Sequence, residues 1–521
     1  MSFARGCVTF RGQERGETAM TRPEIARLRS FTRWTDRQLT PFFAGRVAER
    51  HLIHGRIEDV AQQAFEGHSI MPAEGQTLLI TGAPGAGKTA LARKVGDHLH
   101  EHGGGIVLPL ALETLADPMD LRKALEAQFS PDRLRLVLEK TVDLLRRAGA
   151  ALPAALSAAI DGPVAEVAAS VMAHVVGATI KKQGHSKFEL PCPVVLFIDE
   201  IQVINPSVHA RECAALRNLH LGIHGQPILP LLVGLATARD RLSDAGLSRL
   251  SADSIITLGC LSGDEAALSA RAFCADHRVQ GDTDSWTQKI ADWSDGWPMH
   301  VHNTLRAIAE QLVTQADQRM GTGDPAIARG AHAAIGHLDH IDEMAIRRRA
   351  AHLRADYYSA RLSGPLSECD ELIAHLIHRV ERSMKKSEIR RLIHEDYPRF
   401  VQDQPWLADS LPVSDLFDQM LRRGLLQLTA DAGEDLYDCP IPSLRNYCVL
   451  RAASRLHVRA YLGDLDGVQD ELNGGGDAMM RDLCGRTAAD VAAEEGWTAL
   501  HAGFQSFAPG NRPRQAAGTS P

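Results

Sequence analysis

The chain has 521 residues, 44% hydrophobic and 23% charged, a balance that excludes wholesale disorder and leaves room for three or more domains. A net charge of -8 at pH 7 excludes a general attraction to nucleic acid or anionic lipid, while leaving a local basic face open. Nine cysteines without a C-x-x-C pair give neither a zinc site nor a disulfide framework, so a reducing, cytoplasmic compartment is expected.

Residues 1–39 read as an N-terminal extension without the continuous apolar core of a signal peptide, and Met20 is a candidate start. Residues 40–261 read as an α/β core. Its first apolar run, 77–81, predicts a buried strand, and Leu91, Val95 and Leu99 share one face of the helix expected after it. Between strand and helix, Gly82, Ala83, Pro84, Gly85, Ala86, Gly87, Lys88 and Thr89 match G-x-x-x-x-G-K-[ST]. That loop holds the β- and γ-phosphates on inward-pointing backbone N–H groups, which a side chain in place of glycine would block. Lys88 is expected on the terminal phosphates and the Thr89 hydroxyl on Mg²⁺, with the positive end of the helix adding to the anion's stabilisation.

About a hundred residues then intervene before the next strand, more than a compact crossover needs. A helical insertion over 113–187 is expected, with helices at 117–128 and 131–147 and an Ala-rich pair. Asp161, Pro163 and Glu166 interrupt the apolar stretch 148–180, so no membrane span is expected there. The 23 histidines show no metal-site spacing, and no structural metal is assigned.

The run 194–202 is too apolar for an edge strand and ends in Asp199 and Glu200. Asp199 is expected to hold Mg²⁺ through water and Glu200 to polarise the attacking water, since ligands in open parallel sheets sit at the C-terminal ends of strands. A third apolar strand, 228–236, leads to a basic turn. Residues 262–315 read as a helical lid with helices at 264–277, 284–293 and 298–311, and 316–365 as a helical connector.

Residues 366–453 carry helices at 369–380, 386–394 and 413–424, then a hairpin of 425–429 with 436–442, which is a winged-helix plan. Arg422 and Arg423 end its third helix, but Asp415 and Asp418 share the groove-facing region and acids outnumber bases. An intramolecular regulatory module is therefore favoured over DNA binding. In 454–507, Gly463 and Gly496 stand 33 residues apart, the ankyrin period, as do Ala460 and Ala493. Two such units cannot bury a core alone, so they should pack on the winged helix or present a surface to a protein partner. Residues 508–521 read as a disordered tail.

The order of phosphate loop, acidic strand, polar-tipped strand and basic turn resembles the AAA+ and signal-transduction (STAND) ATPase superfamilies, over about residues 40 to 450. The resemblance, more than any base contact, implies ATP. It implies a sensor-1 role for Thr237 at the γ-phosphate and an arginine finger at Arg249, reaching a neighbour's site, with Arg239 and Arg241 as competitors. The segment 42–49 is similar to the one that packs by the adenine in origin-recognition-like members, which implies a place for Arg46 beside the base. Gly296, Trp297 and Pro298 look like the STAND Gly-x-Pro whose proline touches the base. No arginine follows within the next turn, Arg306 being two turns on, and this departure from AAA+ sensor 2 favours the STAND side. The expected protein is thus a P-loop ATPase switch with winged-helix and ankyrin-like modules, forming nucleotide-dependent homo-oligomers. The rival is a DNA-associated ATPase of origin-recognition or transposition-helper type. A remodelling ring would need an aromatic pore loop, and none is evident.

Overall fold

The computed structural model describes residues 22–33, 42–65, 75–101, 106–112, 194–221, 228–248, 250–321, 337–362, 370–380, 383–403, 405, 412–431 and 434–506. The insertion expected at 113–187, Arg249 and the tail at 508–521 lie outside the described residues.

Helix α1 (Arg22–Thr32) is followed by α2 (Val47–Phe65), strand β1 (Leu78–Gly82), α3 (Lys88–Glu101), β2 (Ile106–Leu110), β3 (Val194–Ile198), α4 (Ala210–His220), β4 (Ile228–Gly234), α5 (Ala238–Asp244) and β5 (Ile255–Leu258). The strands make one parallel sheet in the order β2-β3-β4-β1-β5, with Leu78 opposite Leu231 and Val194 opposite Ile228. Side chains alternate between its faces. Leu78, Ile80, Val195, Phe197, Leu231 and Val233 pack under α2 and α3, while Leu79, Leu196, Ile198 and Leu232 pack under α4 and α5. Burial on both faces explains why these segments read as continuous apolar runs.

The lid follows as α6 (Gly263–Asp276), α7 (Thr283–Trp293) and α8 (Pro298–Gly321). Ser262 starts α6 with a capping box, its hydroxyl accepting from the Glu265 N–H while the Glu265 carboxylate accepts from the Ser262 N–H. Helix α8 runs past the 311 end expected from sequence because Leu312 and Ala316 continue its buried face. Helix α1, within the expected N-terminal extension, buries Ile25, Leu28 and Phe31 in the lid core with Phe42 and Phe273. Helix α9 (Glu343–Leu362) contributes Ile346 and Ala350 to the same cluster.

The C-terminal part comprises α10 (Asp370–Arg379), β6 (Met384–Lys385), α11 (Lys386–Asp403), α12 (Val413–Arg422), β7 (Gln427–Asp431), β8 (Glu434–Asp438) and α13 (Pro442–Ala453). The antiparallel β7–β8 hairpin gains β6 as a third strand on the β8 side. Helix α11 extends through Pro398, beyond the 394 end expected from sequence. A proline there forfeits one helical hydrogen bond, about 3 kcal/mol. Tyr397, Phe400 and Val401, packed against the core, offset that cost.

The chain ends in α14 (Arg455–Leu462), α15 (Leu465–Asn473), α16 (Ala488–Glu494) and α17 (Thr498–Ser506). At Gly463, with φ +67°, a Cβ would stand 2.8 Å from the Trp497 ring, so only glycine lets the indole pack there. One apolar cluster runs without a break from Ile80 and Leu91 through Trp297 and Tyr358 to Phe417, Tyr461 and Trp497. No helix among the described residues is long and apolar enough to cross a membrane.

Candidate functional site

The loop at the C-terminal end of β1 leaves the strand buried and turns on Gly85 and Gly87, with φ of +83° and +88°. Ala86 donates to Ala83 within the loop, at 3.1 Å, and closes the turn. Among the described residues the N–H groups of Gly85, Gly87, Lys88 and Thr89 meet no acceptor. Four unpaired amides converging at the start of α3 form an anion cradle, reinforced by the helix dipole. Lys88 bends back over it, its Nζ donating to Gly82 O at 2.8 Å and Ala83 O at 3.2 Å.

Beside the cradle, the Thr89 hydroxyl donates to Asp199 Oδ2 at 2.6 Å, and Asp199 Oδ1 accepts from the Glu200 N–H at 2.9 Å. The hard oxygen pair of Thr89 and Asp199 suits Mg²⁺, which is typically held by one or two protein oxygens, phosphate and water. Among the described residues no cluster of three His, Cys, Asp or Glu side chains offers a self-sufficient metal cage. Glu200 takes a left-handed conformation, φ 55° and ψ 33°, which costs a non-glycine residue about 1–3 kcal/mol and persists only where neighbours enforce it. The neighbour here is Gln202. Its amide nitrogen donates to the Glu200 carboxylate, and its amide oxygen accepts from the Leu235 N–H at 3.1 Å. Sequence reading passed over Gln202, which links the acidic strand to the end of β4.

Thr237 stands at the N-terminus of α5, two residues beyond that link, and its side chain makes no capping bond. Pro298 opens α8 against the loop: a Cβ on Gly87 would lie 3.9 Å from Pro298 and 3.8 Å from Phe43. Arg46 is buried and is not brought to the loop. Its guanidinium is held by the carbonyls of Gly259 and Cys260 and by Glu49 at 3.2 Å, and its N–H donates to Glu265 at 2.5 Å. The segment before the loop is thereby tied to the lid, and Phe43 is its residue nearest Gly87.

Sequence reading also missed the C-terminal contacts on the loop. Gln427, the first residue of β7, accepts from the Ala83 N–H at 2.9 Å and donates to Leu258 O at 3.0 Å, both buried. At Gly424, φ +67°, a Cβ would stand 2.5 Å from Pro84. From α9, Arg361 donates to Pro84 O at 2.5 Å, the Tyr357 hydroxyl donates to the same oxygen, and the Arg361 guanidinium lies 4.4 Å from the Tyr357 ring centroid. Arg423, expected at a DNA-facing helix end, turns inward to the carbonyls of Arg361 and Leu362 at 3.4 and 3.3 Å.

Burial lowers the Lys88 pKa to about 8, against the opposing pull of Asp199 and Glu200 and with help from Arg361. The ammonium needed to offset a phosphate is therefore present below about pH 8 and is lost as pH rises through it. The affinity for ADP should fall by up to about tenfold per unit above that pH. Fluorescent-ADP titrations from neutral to alkaline pH check this, and an affinity flat across the range removes Lys88 from the phosphate contact.

Residues 46–242 match the family model described as AAA ATPase domain. No curated protein matches the chain. Among solved structures, the ORC2 protein of Aeropyrum pernix, in ADPNP–ADP complexes, is similar at 12% identity, covering 85% of this chain and 98% of that one, with a TM-score of 0.38. Cdc6p of Pyrobaculum aerophilum is similar at 11% identity over 85% and 98% of the two chains, with a TM-score of 0.33. The RuvB Holliday junction branch migration motor of Thermotoga maritima is similar at 15% identity over 77% and 93%, also with a TM-score of 0.33.

Proposed function

We propose that this AAA ATPase domain binds and hydrolyses ATP as a molecular switch of the STAND type, reporting its nucleotide state through the C-terminal modules. The observation that carries the reading is the docking of Gln427, Gly424, Tyr357 and Arg361 on the phosphate loop itself. These groups touch Ala83 and Pro84 of the loop that receives the phosphates in this reading, which couples occupancy of the loop to the position of the C-terminal part.

In this reading the amides of Gly85, Gly87, Lys88 and Thr89 receive the phosphates, and Lys88 offsets their charge. Thr89 and Asp199 hold Mg²⁺, which when bound would neutralise charge on the β- and γ-phosphates. Glu200, aimed by Gln202, orients the water and accepts its proton. Thr237 senses the γ-phosphate, and Arg249 acts as a finger on the site of an adjacent subunit in a nucleotide-dependent homo-oligomer. Pro298 and Phe43 border the base. The 366–453 winged-helix-like and 454–507 ankyrin-like modules offer the surface for a cytoplasmic protein partner. The inward turn of Arg423 removes one of two cations from the helix a DNA reader would use, which supports the protein-partner reading over the DNA one.

Hydrogen exchange over residues 413–438, compared between nucleotide-free protein and a hydrolysis-blocked ATP complex, tests the switch. Faster exchange is expected with ATP, as the hairpin leaves the loop. Equal exchange in the two states would leave an ATPase without a switch.

Replacing Gln202 with Ala frees the Glu200 side chain and should lower turnover about tenfold with nucleotide affinity unchanged, because it disturbs only the base's position. Steady-state hydrolysis beside equilibrium binding checks this. A matching loss in affinity would make Gln202 a binding residue instead.

A further inference from the structure

Two cations meet the phosphate loop, and only Lys88 belongs to its motif. The second is Arg361, near the C-terminal end of α9. One of its terminal nitrogens donates to Pro84 O and to the Tyr357 hydroxyl, each at 2.5 Å, and the other donates to Arg423 O at 3.3 Å. Its Nε is enclosed, so the terminal nitrogens are the atoms an incoming group would meet. The helix end is firmly placed. Arg361 O accepts from the Arg423 guanidinium at 3.4 Å, and Tyr357 stands against the next loop residue, where a Cβ on Gly85 would lie 2.5 Å from its hydroxyl.

Among the described residues these partners of Arg361 are all neutral oxygens, and no carboxylate is paired with it. The hydrogen bonds of Lys88 likewise go to carbonyls alone, those of Gly82 and Ala83. The charge of Arg361 is felt at Lys88, where it disfavours the ammonium. Half-buried cations are ordinarily paired with acids, because like charges brought together in a desolvated place repel. Two of them on one loop gain from the arrival of an anion. A guanidinium bonds an ionised oxygen about twice as strongly as a neutral one, so a phosphate within reach outcompetes Pro84 O and Arg423 O. The loop amides close on the inner phosphates of a nucleotide, which leaves the outermost one to a group approaching from outside the loop, as Arg361 does.

We propose that Arg361 binds the terminal phosphate of ATP from within its own chain, releasing Pro84 O and Arg423 O as it does so, and thereby sets the preference of the site for ATP over ADP. The inference rests on the nucleotide reading above and adds to it a residue that tells the two nucleotides apart. The loop amides serve both, whereas Arg361 answers the phosphate that ADP lacks. Because Arg423 ends α12, release of its carbonyl carries the change into the C-terminal part.

Equilibrium binding of ADP and of a non-hydrolysable ATP analogue, each with Mg²⁺, to the full chain and to Arg361→Gln and Arg361→Lys tests the assignment. Glutamine keeps a neutral donor for Pro84 O but no charge, and lysine keeps the charge as a point cation that phosphate accepts. Arg361→Gln should weaken the analogue by about 10- to 100-fold and ADP by less than about threefold, and Arg361→Lys should recover most of that loss. Retained ADP binding shows in each variant that the loop is intact. An unchanged ratio of the two affinities in Arg361→Gln, an equal loss for both nucleotides, or equal behaviour of the glutamine and lysine variants overturns the proposal and leaves Arg361 as a prop for the loop. If the wild-type chain binds neither nucleotide, the nucleotide reading falls and this inference with it.

Discussion

Glu200→Gln should bind ATP as tightly as the wild-type chain and hydrolyse it about 10²- to 10⁴-fold more slowly. The loop amides and Lys88 act on phosphate charge in the ground state, whereas the Glu200 carboxylate, held by Gln202, acts only when water attacks. The amide of glutamine fills the same space and can still meet Gln202, so the left-handed turn at Glu200 and the Leu235 link survive the change. What is lost is the capacity to take a proton. Lys88→Ala should do the reverse and abolish binding. Equilibrium nucleotide binding paired with single-turnover hydrolysis separates the two. A Glu200→Gln protein that hydrolyses at the wild-type rate would sink the assignment of the base.

Gln427→Ala should accelerate nucleotide exchange by about 5- to 150-fold, the range of a coupling of about 1–3 kcal/mol. In the docked arrangement the substitution strands the Ala83 N–H and the Leu258 carbonyl, both now buried without a partner, and each such group costs about 1–3 kcal/mol. When the hairpin lifts away water reaches both, so the cost falls on the docked state alone. Release of a fluorescent ADP in stopped flow, with turnover measured beside it, gives the readout. If exchange and turnover match wild type while the variant remains folded, the hairpin packs on the loop without controlling it.

The parts of the site visible in sequence are those where backbone geometry leaves few choices of residue. A cradle of unpaired amides demands glycine at Gly85 and Gly87, and the buried strand ending at Ile198 makes the two acids after it conspicuous. Both signals are local. Gln202, Arg361, Tyr357 and Gln427 are ordinary residues with no local irregularity to mark them, and Arg361 reaches Pro84 across 277 residues of chain. Their roles arise only from long-range packing. Helix α1 escaped notice because its apolar residues fit a lid that lies far along the sequence, and the full length of α8 because Leu312 and Ala316 find their partners in a core shared with α1 and α9. Helix α11 outruns its expected end at 394 because packing of Tyr397 and Phe400 against the core offsets the cost of Pro398.

The bond from Gln427 to Leu258 spans 169 residues, so the sheet is complete well before its C-terminal cover exists. At a synthesis rate of about 5–20 residues per second, that gap lasts roughly ten to thirty seconds on the ribosome. During it the cradle is open to solvent and unopposed by Gln427, Gly424, Tyr357 or Arg361. Nucleotide reaches an open loop far faster than that by diffusion. In the proposed reading, the phosphate loop is therefore open to nucleotide before its C-terminal cover is made.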